Sequence, residues 1–273
     1  MATSQLELLH AAPSYYSMVA RLALAEVGVP YRSHLIDIHL AKQQLSDAYR
    51  QLNPHMTVPT LRGEGLLLTD SRAILQWAAA QAGEAWMDGE PALRAPIGAV
   101  VEGHYAISIE DLTFGKLLLT QPLLARVVPK VLARLAEGLD QRAATAADGG
   151  ASLRAKAAQN RQRLAYFTEG SAPEKLAQRQ QEVRTFLQGL PPVSPGEGLF
   201  GPRFSSADVV VAVLLARLAW IGEGNLVSRM DLQTWWAQVQ RRPAFKQAEV
   251  WTRFRRRRFV QAILQARLDP IGA

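Results

Sequence analysis

The chain has 273 residues, of which 48% are hydrophobic and 20% charged, so it can bury a sizeable core and is not a disordered segment. It has no cysteine, which excludes disulfides, thiolate-bound metals and a cysteine nucleophile and fits a reducing, cytoplasmic compartment. The net charge of +7 is concentrated in the Arg-rich run 253–258, and no apolar run reaches the about 18 residues that a membrane-spanning helix needs.

Hydrophobic periodicity predicts seven elements in the first third of the chain. They are a strand at 5–10, a helix at 14–27, a strand at 31–38, a helix at 45–52, hairpin strands at 57–61 and 66–69, and a helix at 71–82. The order βαβαββα is the thioredoxin-like α/β arrangement. We therefore predict a thioredoxin-like domain over residues 1–83.

The remainder has helical periodicity and no convincing strand. The predicted helices cover 92–119, 124–147, 151–168, 173–190, 207–221, 232–241 and a C-terminal segment. We predict an all-helical domain over 91–273, with an extended helical insert around 121–174. Ser205 and Asp208 have capping-box spacing and are predicted to be structural.

The segment 53–79 carries the strongest functional signal. Pro59 starts a short apolar strand, where a residue that cannot donate to the ladder is present for its backbone geometry. Asp70 and Ser71 then open a helix, which places a carboxylate, a hydroxyl and unpaired N–H groups together. Such a combination suits a small peptide-like ligand with an amine and a carboxylate.

The segments LELLHAAPSYYSMVARLAL, NPHMTVPTL and DSRAI, in this order, resemble the N-terminal domain of glutathione transferases. The resemblance implies glutathione as co-substrate, transfer to a small hydrophobic electrophile in detoxification, and a homodimer. The helical part, with its long insert, is similar to the tetrachlorohydroquinone dehalogenase and ganglioside-induced differentiation-associated branch. No metal is expected, because the five histidines lack ligand spacing.

The resemblance also implies how the thiol is activated. Ser14 matches the hydroxyl that donates to the glutathione sulfur, and the helix N-terminus adds positive potential that favours thiolate. Tyr16 is the rival, and Tyr15 and Ser17 are weaker candidates. Because Tyr16 occupies the position of the dehalogenase branch's nucleophilic cysteine, reductive dehalogenation and thiol–disulfide exchange are not expected.

The remaining site residues follow from the same resemblance. Val58 would pair through its backbone with the cysteinyl part of glutathione, and Pro59 would be the cis-proline. Asp70 and Ser71 would hold the γ-glutamyl amine and carboxylate. Gln44, or Lys42 in its place, would meet the glycyl carboxylate. The predicted electrophile site is lined by His104, Tyr105, Asp111 and Phe114.

The alternative interpretation is a non-catalytic interaction protein that uses its helical domain or its Arg-rich C-terminus. Adjacent arginines surround a helix on all sides, so a loosely docked or projecting C-terminal end is expected. Contact of this cluster with an anionic membrane surface is less favoured than a solvated helix face. Nucleic acid is not an expected partner, because no aromatic and basic recognition module is present.

Overall fold

The structure, a computed structural model, describes residues 6–271. Its N-terminal part has the predicted βαβαββα order. The elements are β1 (Glu7–His10), α1 (Tyr15–Glu26), β2 (Arg32–Leu35), α2 (Asp47–Leu52), β3 (Thr60–Gly63), β4 (Leu66–Leu68) and α3 (Ser71–Ala82). Gln5, at the start of the predicted strand 5–10, lies outside the described residues.

The four strands form one mixed sheet in the order β2-β1-β3-β4. β1 is parallel to β2 and antiparallel to β3, with Leu9 opposite Thr60. β4 is antiparallel to β3, with Leu61 opposite Leu68. This register places the end of β1, the start of β3 and the end of β4 at the same edge of the sheet.

The core of this part lies between the sheet and α1 and α3. Leu8, Leu24, Leu61 and Ile74 are fully buried and pack together. Helix α1 is buried along most of its length because apolar residues occupy nearly every position from Met18 to Leu24. This packing places the first turn of α1 beside the sheet edge.

The rest of the chain is helical. Its helices are α4 (Arg94–Ala106), α5 (Ile109–Thr120), α6 (Pro122–Thr145), α7 (Ala151–Thr168), α8 (Ala172–Gln188), α9 (Ser206–Ile221), α10 (Met230–Val239), α11 (Pro243–Gln247) and α12 (Arg256–Leu268). The predicted single helix 92–119 is wrong, because two helices cover it. Ser108 caps the second by accepting a hydrogen bond from the Asp111 backbone N–H at 3.4 Å.

The chain divides into two compact units. The first combines the N-terminal part through Ala106 with the C-terminal part from Arg184, and the second spans Ile107–Val183. In the second unit, α6 packs against α7 and buries Leu139, Ala143 and Leu153. The division follows packing, and the predicted domain boundary near residue 83 remains a prediction.

The Ser205–Asp208 pair is structural, as its spacing predicted. Ser205 is the N-cap of α9, where its Oγ accepts from the Asp208 N–H at 3.3 Å and donates to the Asp208 carboxylate at 2.5 Å. Asp208 also accepts from the Leu199 N–H at 2.8 Å, and it is completely buried. The pair fixes the loop that leads into α9.

The C-terminal helix α12 is docked on the first unit and does not project from it. It buries Ala262, Ile263 and Ala266 and packs beside β2. Gln43 Nε2 donates to the Ala266 carbonyl at 2.8 Å, and Arg267 Nε lies 3.7 Å from Asp37 Oδ2. The expectation of a loosely attached end is therefore wrong, because three small or apolar side chains anchor one face of the helix.

Candidate active site

Ser14 lies where the chain leaves β1 and enters α1. It is the N-cap of the helix and is partly exposed, and its Oγ accepts a hydrogen bond from the Ser17 N–H at 3.3 Å. The first turn of α1 contains no acidic side chain, so nothing there offsets the positive helix end. Ser17 is fully buried, and its Oγ accepts from the Ala11 N–H, so Ser17 supports the loop.

Tyr15 is turned away from solvent and toward α4. Its hydroxyl lies 2.6 Å from His104 Nε2, and both side chains are buried. Burial, followed by the charge of Arg72, lowers the pKa of His104 to about 3, so the imidazole is neutral. Burial also raises the pKa of the Tyr15 phenol well above its usual value. Tyr15 is thus a structural phenol engaged with His104.

Tyr16 is half-buried and points along a different face of α1. Its ring is stacked on the ring of Tyr105, with centroids 6.1 Å apart and planes within 9°. It also meets the Tyr15 ring edge-on at 5.2 Å. Although Tyr16 is only two residues from Ser14 in sequence, its ring packs against Tyr105 of α4.

The segment before β3 is fixed by buried polar side chains. The Val58–Pro59 peptide bond is cis, as the resemblance predicted. Asn53 is completely buried, and its Nδ2 donates to the Thr57 carbonyl at 2.8 Å and the Thr69 carbonyl at 2.9 Å. One amide group thus connects the residue before Val58 with the residue before Asp70. Sequence reasoning assigned Asn53 no role.

Tyr49 supports the same segment from α2. Its hydroxyl donates to the Thr57 carbonyl at 2.7 Å and lies 3.0 Å from Thr60 Oγ1, which also accepts from Asn53. Burial raises the pKa of this phenol to about 12, so it keeps its proton. The two side chains therefore hold both ends of the Val58–Pro59 step.

Asp70 and Ser71 are at the start of α3. Asp70 is exposed and is the N-cap, accepting from the Ala73 N–H at 2.9 Å. Ser71 is buried, and its Oγ lies 2.9 Å from the hydroxyl of Tyr105. Arg72 lies over the Tyr105 ring at 4.7 Å and forms an ion pair with Glu102 at 2.9 Å. Tyr105 therefore reaches the start of α3.

The sheet register brings three of these segments to one edge. Residues 11–14 follow β1, residues 58–59 precede β3, and residues 69–71 follow β4. A hydroxyl, a cis-proline segment, and a carboxylate with a second hydroxyl at a helix N-terminus are therefore adjacent. This edge can hold an extended ligand with anionic and cationic groups.

Gln44 and Lys42 lie in the loop between β2 and α2. Lys42 has a left-handed backbone conformation, φ 53°, and its ammonium donates to the Ile38 carbonyl at 3.1 Å. Gln44 is half-buried, and its Oε1 is buried without a hydrogen-bond partner among the described residues. The Lys42 ammonium is thus already hydrogen-bonded, whereas the Gln44 side chain has a free acceptor oxygen.

Two of the predicted electrophile-site residues belong to the second unit. Asp111 is in the first turn of α5, and Phe114 is 38% exposed with its ring 5.9 Å from that of Phe167. His104 and Tyr105 belong to the first unit and contact Tyr15 and Ser71 as described.

Residues 6–271 contain neither a metal-binding cluster nor a membrane-spanning helix. No group of three or more His, Cys, Asp or Glu residues is placed to hold a metal ion. No helix in the same range is long and apolar enough to cross a membrane.

Comparison with known proteins agrees with this geometry. The profile of the glutathione S-transferase N-terminal domain matches residues 8–86. Glutathione S-transferase TCHQD of Arabidopsis thaliana is 27% identical over 266 residues, covering 88% of each chain. Maleylpyruvate isomerase of a Ralstonia species is 41% identical, but over 58 residues only, which are 21% of this chain and 26% of that protein.

Solved structures share the fold along almost the whole chain. The beta-etherase LigF of Sphingobium sp. strain SYK-6 superposes with a TM-score of 0.61 at 19% identity, covering 89% of this chain and 98% of that one. A theta class glutathione S-transferase of Xanthomonas axonopodis pv. citri, with glutathione bound, gives 0.55 at 21% identity, covering 90% and 97%. Residues 8–86 therefore match the N-terminal domain of glutathione S-transferases, and the chain shares the glutathione S-transferase fold along most of its length.

Proposed function

We propose that this protein is a glutathione transferase that binds glutathione at the sheet edge described above and presents its thiolate to a small hydrophobic electrophile. The observation that carries the proposal is the meeting of Ser14, the cis Val58–Pro59 step and the Asp70–Ser71 helix start at one edge. Glutathione has a thiol, a cysteinyl backbone, and a γ-glutamyl amine and carboxylate, which suit Ser14, the Val58–Pro59 step and the Asp70–Ser71 helix start respectively.

The proposed binding mode follows from what each group has free. Among the described residues, the backbone N–H and C=O of Val58 have no hydrogen-bond partner, so they can pair with the cysteinyl peptide groups. Asp70 would bind the γ-glutamyl amine, and Ser71 with the N–H groups of α3 would bind its carboxylate. Gln44 would donate to the glycyl carboxylate through its Nε2, because its free Oε1 can only accept.

Thiol activation is proposed to come from Ser14. Its Oγ already accepts from the Ser17 N–H, so its own hydrogen is available to donate to the sulfur. The thiolate then forms a bond to an electrophilic carbon. In substitution the leaving group departs with the electron pair, and in addition the carbon skeleton takes up a proton. Tyr16 remains the rival donor.

The similarity to the TCHQD branch does not extend to cysteine chemistry here. The chain contains no cysteine, so a mixed disulfide between protein and glutathione cannot form. His104 and Tyr105 of the first unit are proposed to line the electrophile site, and a cytoplasmic role in detoxification fits this assignment. The electrophile itself is to be found by a thiol-consumption screen.

Calorimetry with glutathione tests the binding site. Asp70→Asn removes the charge and retains the helix cap, because Asn caps about as well as Asp. We expect a roughly 10- to 150-fold weaker affinity, since hydrogen bonds to charged groups contribute about 1.5–3 kcal/mol. Asp47→Asn, at the start of α2, is the control and should bind normally. No heat with the unmodified protein, or equal affinity in both variants, would reject the site.

A homodimer with one site in each subunit is proposed from the superfamily resemblance. Analytical ultracentrifugation at micromolar concentration should show a species of twice the 30.0 kDa chain mass. A single 30.0 kDa species at all concentrations would contradict it.

A further inference from the structure

Two buried guanidinium groups lie directly behind the loop that leads to Ser14. Arg21 of α1 and Arg217 of α9 are 4% and 6% exposed. Among the described residues, neither forms an ion pair with a carboxylate. A buried charge without a counter-charge is costly, so its placement calls for an explanation beyond packing.

Between them, the two guanidinium groups bind the carbonyls of three consecutive residues. Arg21 donates to the Ala11 carbonyl at 3.3 Å and the Ala12 carbonyl at 3.1 Å. Arg217 donates to the Pro13 carbonyl at 3.1 Å. The three carbonyls immediately before Ser14 therefore all point at cations.

The surroundings do not cancel these charges. Arg217 lies over the rings of Tyr15 and Trp220, at 5.5 and 4.2 Å, and its Nε has no partner among the described residues. The groups that face it are the phenols of Tyr15 and Tyr16, and Tyr15 holds its proton firmly. Burial lowers the pKa of Arg217 to about 10, so it remains charged at neutral pH.

Arg21 is only partly balanced. Its Nη1 lies 3.1 Å from His10 Nδ1, its Nε donates to the Ala248 carbonyl, and its remaining neighbours are Tyr31, Glu249 and Arg258. Glu249 is a carboxylate near it, and Arg258 binds that carboxylate at 2.9 Å. Burial lowers the pKa of Arg21 to about 10 and that of His10 well below 6.5, so the cluster has a net positive charge at pH 7.

We propose that Arg21 and Arg217 act as electrostatic positioning residues, which hold the 11–13 loop and create a positive field at Ser14 that stabilises the thiolate of bound glutathione. This inference rests on the proposed function. A unit charge about 8–10 Å from a thiolate lowers the thiol pKa by roughly 1 unit in a protein site. The field adds to the Ser14 hydroxyl and the α1 helix end.

Titration of the bound thiol in Arg217 variants, followed by thiolate absorbance, tests the proposal. Arg217→Gln and Arg217→Met remove the charge, the first keeping a donor for the Pro13 carbonyl and the second the packing between rings. Both should raise the thiol pKa by about 1 unit, whereas Arg217→Lys should raise it by less than about 0.3 units. Circular dichroism confirms folding in each variant.

Arg229→Gln is the matched control. Arg229 also donates hydrogen bonds to three backbone carbonyls, those of Leu187, Leu190 and Pro191, but it forms an ion pair with Asp231. This variant should leave the bound thiol pKa unchanged. An unchanged pKa in Arg217→Gln or Arg217→Met, or the same rise in Arg217→Lys, overturns the proposed field while leaving the glutathione site intact.

A second measurement does not depend on any Arg217 variant folding. In Ser14→Ala, the arginine field persists, so the bound thiol should still titrate at least about 0.5–1 unit below free glutathione. A bound thiol that titrates like free glutathione in Ser14→Ala overturns the inference alone. Absence of any glutathione binding by the unmodified protein overturns the proposed function and this inference with it.

Discussion

Replacement of Ser14 by alanine separates the two roles of this hydroxyl. As the N-cap of α1 it accepts one long hydrogen bond, 3.3 Å from the Ser17 N–H. Loss of such a cap costs about 0.5–1 kcal/mol of folding free energy. As the proposed thiol activator it donates to a charged sulfur, which contributes about 1.5–3 kcal/mol. The catalytic effect should therefore exceed the stability effect.

The expected magnitude follows from the second figure. Loss of about 1.5–3 kcal/mol raises the pKa of the bound thiol by roughly 1–2 units. At a pH below the thiol pKa of the unmodified complex, kcat/KM should fall by about 10- to 150-fold, because less of the bound glutathione is thiolate. The affinity for glutathione should change little, since its carboxylates and amine bind elsewhere.

The assay combines thiolate absorbance of bound glutathione with initial rates against a reactive aryl halide across pH. Ser46→Ala is the matched control, because Ser46 caps α2 with the same geometry, accepting from the Tyr49 N–H at 3.2 Å. It should lose similar stability and no activity. Tyr16→Phe should have a much smaller effect than Ser14→Ala. The reverse ranking would transfer activation to Tyr16 and refute the assignment to Ser14.

Two further predictions concern stability. His104 is neutral when folded, with a pKa of about 3 against 6.5 unfolded, so the unfolded state binds more protons and stability falls as pH drops below 6.5. Between pH 6.5 and 5 the unfolding free energy should fall by about 2 kcal/mol. In urea unfolding experiments, His104→Gln should abolish this fall, whereas His55→Gln, at an exposed position, should not. Asn53→Ala should cost about 2–4 kcal/mol, because the Thr69 carbonyl loses its side-chain donor and the Thr57 carbonyl keeps only Tyr49. Exposed Asn225→Ala should change the thermal midpoint by little. Equal effects in either pair would contradict the corresponding contact.

Local patterns predicted the N-terminal elements well where the chain carries explicit end signals. α3 begins after Asp70 and ends before Gly83, as predicted, because a capping carboxylate and a glycine mark its ends. The strand predicted at 31–38 is shorter, Arg32–Leu35. The Asp37 carboxylate accepts N–H groups from three following residues, and this turn ends the strand where hydrophobicity continued.

The break between α4 and α5 could have been found from the sequence. Ser108 and Asp111 have the same capping spacing as Ser205 and Asp208, but the apolar pattern on both sides favoured one long helix. In the prediction, the apolar periodicity outweighed the capping signal. In the structure, the cap at Ser108 starts a new helix, so two shorter helices, α4 and α5, replace one long helix.

The site was predictable only in its local motifs. Ser14, Val58, Asp70 and Ser71 lie at helix or strand ends, and the resemblance to glutathione transferases assigned their roles, which stay predictions. The contact of Tyr15 with His104 joins residues 89 positions apart, so no local pattern indicates it. No local pattern indicates Arg217 either, because its hydrogen bond to the Pro13 carbonyl depends on the packing of α9 beside α1.

The attachment of α12 to the loop between β2 and α2 has a consequence for hydrogen exchange. Asp37 holds three loop amides, Gln43 links that loop to the Ala266 carbonyl, and His39 packs on Phe259 at 5.1 Å. Amides of residues 39–41 and of 259–268 should therefore exchange by a common opening. Removal of the chain from residue 256 onward would expose the loop that carries Gln44. The hydrogen-exchange protection of the loop amides would therefore report whether α12 is docked.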